Sequence, residues 1–201
     1  MGPDNRRTLD HRFAQWFSSN TDPVFDQQLA KRFEHAVLDA RRGKLDSWLS
    51  HNRGCLALIL LLDQLPRNIY RGTKAAFNSD HKAFGITEFG IDQGFDRQLT
   101  LVERIFFYIP FEHAENLAAQ QQCQRYYQML DGIADPETKS LAMKCVAGSA
   151  EHLEVIRRFG RFPQRNAVLG RESTPEEIEW LGQHHGWGQK IEIDEAQRTS
   201  T

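Results

Sequence analysis

Eight apolar residues in succession, Cys55 to Leu62, run directly into Asp63, and then into Gln-Leu-Pro-Arg-Asn-Ile-Tyr-Arg-Gly ending at Gly72. The run is far short of the roughly 20 apolar residues that cross a bilayer. Leu and Ala outnumber β-branched residues in it and no polar alternation interrupts it, so it reads as a helix buried on nearly every side. A chain built around such a helix must pack other helices against it. Asp63 is the anomaly: a buried carboxylate costs several kcal/mol unless it is paired and hydrogen-bonded. Arg67 and Arg71 follow at i+4 and i+8 as the nearest partners, with a proline between that predicts a helix stop.

The remaining pattern is also helical. Thr8–Ser18 is expected to form a first helix with Phe13, Trp16 and Phe17 on its core face. Thr21-Asp22-Pro23 starts a second helix, a capping oxygen followed by proline, and Arg41-Arg42-Gly43 ends it. Ser50 is expected to cap the central helix, and Asn78-Ser79-Asp80 the next one. Thr100-Leu-Val-Glu103 is a capping box, Pro110 a predicted break, and Phe111 to Glu115 a predicted restart. Asp135-Pro136 opens a helix whose apolar face is Leu141, Cys145, Gly148, His152, Val155/Ile156 and Phe159. Thr174-Pro-Glu-Glu177 opens the last. No segment reads as a strand. The expectation is an all-α domain of seven or eight helices spanning 1–186, with a polar C-terminal tail at 187–201.

Composition narrows the function classes. A formal charge of −2 over 201 residues gives no long-range attraction to nucleic acid or to an anionic membrane, so neither is expected as a partner. Three unpaired-looking cysteines argue for a reducing compartment, and charged residues at the start of the chain argue against a leader; a cytoplasmic protein is expected. Among the 25 basic residues, 18 are Arg and 7 are Lys, a bias toward planar cations that bind carboxylates and phosphates through two hydrogen bonds.

Those arginines recur in context. Residues 63–73 and 160–171 each end an apolar helix with a bulky residue and proline, then carry Arg-Asn, a further Arg and Gly, a weak internal repeat. If the two ends converge, Arg67, Asn68, Arg71, Arg161, Arg165, Asn166 and Arg171 form a cationic pocket, with Asp63, Glu103, Glu112 and Glu115 orienting it. Each copy has a plainer reading as well, in which its Arg and Asn side chains cap the carbonyls of their own helix end. Acids at 112 and 115 also suit a helix N-terminus, and His152 on an apolar face suits a core position. No metal motif, phosphate loop, nucleophile elbow or dinucleotide fingerprint is present, so no metal or cofactor is expected.

Leu61–Gly72, Glu103–Glu115 and Phe159–Thr174 together resemble the signature blocks of a bacterial family, domain-of-unknown-function family 924, in order and over about residues 13–181. Ala114 and Gln164 stand where that family's pattern leads one to expect Ser and His. The resemblance implies a tetratricopeptide-like stack of antiparallel helix pairs, and it implies no activity. Two functions follow as expectations. One is a binding module whose Arg/Asn-rich site, His113 included, holds a small anionic ligand or an acidic peptide. The alternative is an enzyme acting on a small anionic substrate, with Asp63, Glu112, Glu115 or His152 as acid or base. Oligomeric state is not specified by any feature of the chain.

Overall fold

The computed structural model describes residues 22–184 and Trp187. The expected helix at 8–18 and the residues from 188 onward lie outside that range. Eight helices make up the described part, with short 3-10 turns between some of them and no strand. The all-α expectation holds.

Helix α1 is Pro23–Arg41, and Asp22 caps it, one carboxylate oxygen accepting from the Val24 and Phe25 amides at 3.0 and 3.1 Å. Gly43 then takes φ +78°, a left-handed conformation that glycine adopts without strain. Ser50 does not cap the central helix. It ends a 3-10 turn, Asp46–Ser50, and its hydroxyl donates to the Ser47 carbonyl, so His51 is left as the residue before the helix.

Central helix α2 covers residues 52–69 in three registers: α-helical Asn52–Ile59, a π turn at Leu60–Gln64, and α-helical Leu65–Ile69. Pro66 is therefore not a stop. The wide turn before it places the proline at the first positions of a new α-helical segment, where its missing N–H and fixed φ are tolerated. Gly54, inside α2, is required by close approach. A Cβ there would sit 1.9 Å from the Trp48 carbonyl oxygen, a backbone atom that cannot swing aside. Gly54→Ala is accordingly expected to destabilise the fold by about 1–3 kcal/mol. That is a fall in Tm of roughly 2–4 °C per kcal/mol for a chain of this size, measurable by thermal unfolding monitored by circular dichroism.

Helix α3 is Asp80–Asp92, and α4 is Leu101–His113, opened by the expected capping box of Thr100 and Glu103. Pro110 lies inside α4 and does not break it. An interior proline costs about 3 kcal/mol. Its neighbours Phe107, Tyr108, Ile109 and Phe111 are all buried, each side chain contributing roughly 1.5–3 kcal/mol, so packing of the continuous helix outweighs the local penalty. Glu112 and His113 consequently end a helix. They do not start one, so the dipole account fails for Glu112, whereas Glu115 stands just before the Asn116 cap of the next helix. Helix α5 is Leu117–Ile133, capped by Asn116.

Helix α6 is Lys139–Phe159; Asp135 accepts from the Thr138 amide and hydroxyl in a turn that delays the helix by a few residues beyond Asp135-Pro136. Leu141, Cys145, Val155 and Ile156 of the expected stripe are buried, joined by Ala142, Ser149 and Leu153. After a 3-10 turn at Pro163–Arg165 come α7, Asn166–Leu169, and α8, Pro175–Leu181, the latter opened by the Thr174–Glu177 capping box. The main core gathers α1 to α6 around Leu58, Leu62, Phe107 and Tyr127, and a smaller one joins Val155, Ile156 and Phe162 to Phe159, Trp180 and Trp187. Buried polar residues include Asp63, Arg67 and Asn68 on α2, and Gln164, Arg165 and Asn166 after α6.

Candidate functional site

Asp63 is buried in the π turn of α2 and faces two partners. One carboxylate oxygen is 2.6 Å from His113 Nδ1 on α4. The other lies 3.6 Å from Arg67 Nη1 and accepts no hydrogen bond among the described residues. Arg67 itself donates to the Asp63 carbonyl at 3.0 Å and grips Asp80, at the start of α3, through two bonds of 3.0 and 2.9 Å. Burial would raise the Asp63 carboxyl, but Arg67 and His113 outweigh it and hold it below the usual carboxylate range. Arg67 gains correspondingly: burial disfavours its charge, and Asp63 and Asp80 more than compensate.

Arg165 arrives from the 3-10 turn after α6, about a hundred residues along the chain, and meets the same aspartate. Its Nη1 is 3.8 Å from Asp80, and its guanidinium lies between two rings, 4.9 Å from the centroid of Phe77 and 4.4 Å from that of Phe162. Arg67 also faces Phe77, at 5.6 Å. Although the Arg165 side chain is only 9% exposed, it makes no hydrogen bond among the described residues. Burial, then repulsion from Arg67, lowers its pKa to about 10. Next to it, buried Gln164 leaves its side-chain oxygen without a donor. Buried polar groups normally find partners, and among the described residues the Arg165 guanidinium, the second Asp63 oxygen and the Gln164 side-chain oxygen have no hydrogen bond.

The remaining groups are titratable. Ionised Asp63 can only accept, so His113 Nδ1 carries the proton and its Nε2 keeps a lone pair. Burial, then Arg67, lowers the His113 pKa, with Asp63 opposing them. His152 on α6 donates from Nδ1 to the Gly148 carbonyl at 2.8 Å, stacks on Trp187 at 4.0 Å and meets Phe162 edge-on. Burial pushes its pKa down to about 3, against the Gly148 bond. Its 3.5 Å approach to Glu112 is therefore a contact with a neutral ring and not an ion pair. Burial raises Glu112 to about 7; a hydrogen bond from Tyr127 at 3.2 Å opposes that rise, and Asp63 and Glu151 add to it. Trp187, the first residue of the expected tail, thus packs against the helical body.

Of the residues singled out from the sequence, Asp63, Arg67, His113, Arg165, Glu112 and His152 fall together. The others are engaged elsewhere. Arg71 and Asn68 bind Asp26 of α1 at 2.8 and 2.9 Å, locking α1 to the end of α2. Glu103 serves the capping box of α4. Arg161 pairs with Glu177 through two bonds of 2.7 and 2.8 Å, and Asn166 donates to the same carboxylate and to Ser173. Arg171 pairs with Glu115 at 2.6 and 2.9 Å, and Glu115 also accepts the Phe162 amide. Burial opposes charge on Glu115, but these bonds prevail and its pKa is lowered. Asp80, Phe77 and Phe162 were not among the expected site residues. Asp80 was legible only as a helix-start residue, because nothing local marks it as the counterion of two distant arginines. Among the described residues no three His, Cys, Asp or Glu side chains come together to hold a metal ion, and no helix is long and apolar enough to cross a membrane.

Comparison with known proteins places this geometry in a family. A solved structure, the protein of unknown function ATU0120 from Agrobacterium tumefaciens, is similar with a TM-score of 0.73 and 37% sequence identity, over 91% of each chain. No curated protein matches the sequence. The family model described as bacterial protein of unknown function (DUF924) matches residues 6–185, which include all three signature blocks. The chain belongs to the DUF924 family of bacterial proteins.

Proposed function

We propose that the protein binds a small anionic ligand at Arg165, with Arg67, His113 and Asp63 forming the wall behind it. One observation carries this reading: a guanidinium more than nine-tenths buried that makes no hydrogen bond among the described residues and has its nearest carboxylate, Asp80, at 3.8 Å. Planar donors in a dry setting form their strongest bonds with carboxylate or phosphate oxygens. A small ligand fits better than an acidic peptide. Arg71, Arg161 and Arg171 are each spent on a carboxylate of the chain itself, so they do not extend Arg165 into a track.

The test is equilibrium binding of acetate and inorganic phosphate to the full chain. Losing one side of a buried charged contact costs about 2–5 kcal/mol, so Arg165→Gln is expected to weaken binding at least about thirtyfold. Arg161→Gln, at a pair that serves α8, leaves affinity within about twofold of the parent. Equal affinity in Arg165→Gln and the parent contradicts the reading.

A second reading is favoured by the 2.6 Å Asp63–His113 bond. An imidazole held this way presents Nε2 as a base, and Glu112, which keeps its proton up to about 7, supplies the acid in this reading. The protein is then an enzyme that moves a proton on the same bound anion. Exchange of the carbon-bound hydrogens of 2-oxo and 2-hydroxy acids in D2O, followed by NMR, reads this directly. Exchange above the buffer rate that disappears in His113→Gln supports it, and exchange unaffected by that substitution overturns it.

A further inference from the structure

We infer that an anion settling on Arg165 brings one proton with it, taken up by His113 against Asp63, and that the site therefore selects monoanions of the carboxylate class over dianions. This rests on the anion-binding reading above and adds a stoichiometry to it. Asp63 and Asp80 face Arg67 and Arg165, so the four charges already cancel. Glu115 and Arg171 cancel each other beside them. A carboxylate entering the site leaves one buried negative charge without compensation, which is strongly unfavourable. A dianion leaves two.

His113 is the group placed to supply the missing positive charge. Its Nδ1 is already bonded to Asp63, so a proton added at Nε2 creates an imidazolium with its counterion in contact. Asp63 and Arg67 face it from α2, Arg165 from the turn after α6, and His152 from α6; Asp80 reaches it only through Arg67, and Glu112 precedes it on α4. Of these, the two guanidiniums oppose its protonation, together with burial. An anion on Arg165 offsets part of that opposition. His152 is less suited, because its own Nδ1 is committed to the Gly148 carbonyl at 2.8 Å and the nearest carboxylate, Glu112 at 3.5 Å, keeps its own proton up to about 7. Glu112, the residue before His113 on α4, is the competing proton acceptor, so the test must separate the two.

Acetate titrated calorimetrically into the full chain near about pH 7.5, in two buffers of different ionisation enthalpy, counts the protons taken up. About one proton per acetate is expected, with Kd weakening about tenfold per pH unit above the pKa of His113 in the free protein. Nitrogen NMR of the His113 ring should move from neutral to imidazolium shifts as acetate is added, a reading that needs no variant. Uptake should persist in Glu112→Gln and vanish in His113→Asn, whose amide keeps a donor toward Asp63. Sulfate should bind more weakly than acetate. Acetate binding with buffer-independent heat and a flat pH profile, or proton uptake that survives in His113→Asn, overturns the inference and leaves anion binding standing. Absence of any acetate heat overturns the anion-binding reading itself.

Discussion

Arg67→Met is expected to lower the unfolding free energy by about 3–5 kcal/mol, the cost of leaving buried carboxylates without their cation. Arg67 is the shared partner of Asp63 and Asp80, and its side chain is 7% exposed, so neither water nor a neighbouring lysine can replace it. A loss of that size is a large part of the roughly 5–15 kcal/mol that stabilises a typical domain. Urea unfolding followed by circular dichroism measures it as a shift in midpoint with little change in slope. The comparison variant is Arg157→Met, whose ion pair with Glu154 is long and half-exposed or more on both sides; its expected loss is about 0–1 kcal/mol. Pairing Arg67→Met with Asp80→Leu should recover part of the loss, since an apolar pair of similar volume removes the unpaired charge. Equal losses in Arg67→Met and Arg157→Met would mean that the buried network contributes no more than a surface pair.

The second large effect is in the pH dependence of stability. In the folded chain Glu112 keeps its proton up to about 7, against an ordinary value of 4.5 that the unfolded chain regains. Between those two values the folded state holds the extra proton. Raising the pH through that window therefore destabilises the fold, at about 1.4 kcal/mol per unit and about 3 kcal/mol in total. Glutamine carries no such proton. Relative to the parent, Glu112→Gln should gain about 3 kcal/mol between acidic and mildly alkaline pH, read from urea midpoints at a series of pH values. His152 acts in the opposite sense. Its folded pKa of about 3, against 6.5 when unfolded, makes stability rise with pH between those values. His113, also lowered by burial, adds to that rise. Glu112→Gln should expose the histidine slope that the parent's glutamate masks. A parent-minus-variant difference that does not change with pH would show that Glu112 titrates normally in the folded chain.

What could be read from the residues and what could not divides along the range of the interactions. Caps are local, and three of them, Asp22, Thr100 and Thr174, stand where the spacing puts them. The apolar run at 55–62 is a buried helix because its composition leaves little else for it to be. Pro66 and Pro110 are the counterexamples. Each carries a local penalty visible in the sequence, and each is overridden by packing that involves residues far away along the chain. The same limit governs the site. Arg67 and Arg165 are recognisable as unusual, and their meeting at Asp80 was expected in outline, but the aspartate was not. Arg71, Arg161 and Arg171 look alike in the sequence to the two that converge. Only the three-dimensional arrangement separates cations with a carboxylate of their own from Arg165, which has a distant one and two aromatic rings.

Everything functional here turns on whether the Arg165 guanidinium receives an anion. Diffraction from a crystal of the full chain soaked in bromide, with anomalous differences recorded at the bromine edge, locates such ions without assumptions about the natural ligand. The account predicts a strong peak in contact with the Arg165 guanidinium, near Arg67 and His113, that disappears in Arg165→Gln crystals. Bromide found only at exposed lysines and arginines, with none at Arg165, would contradict it.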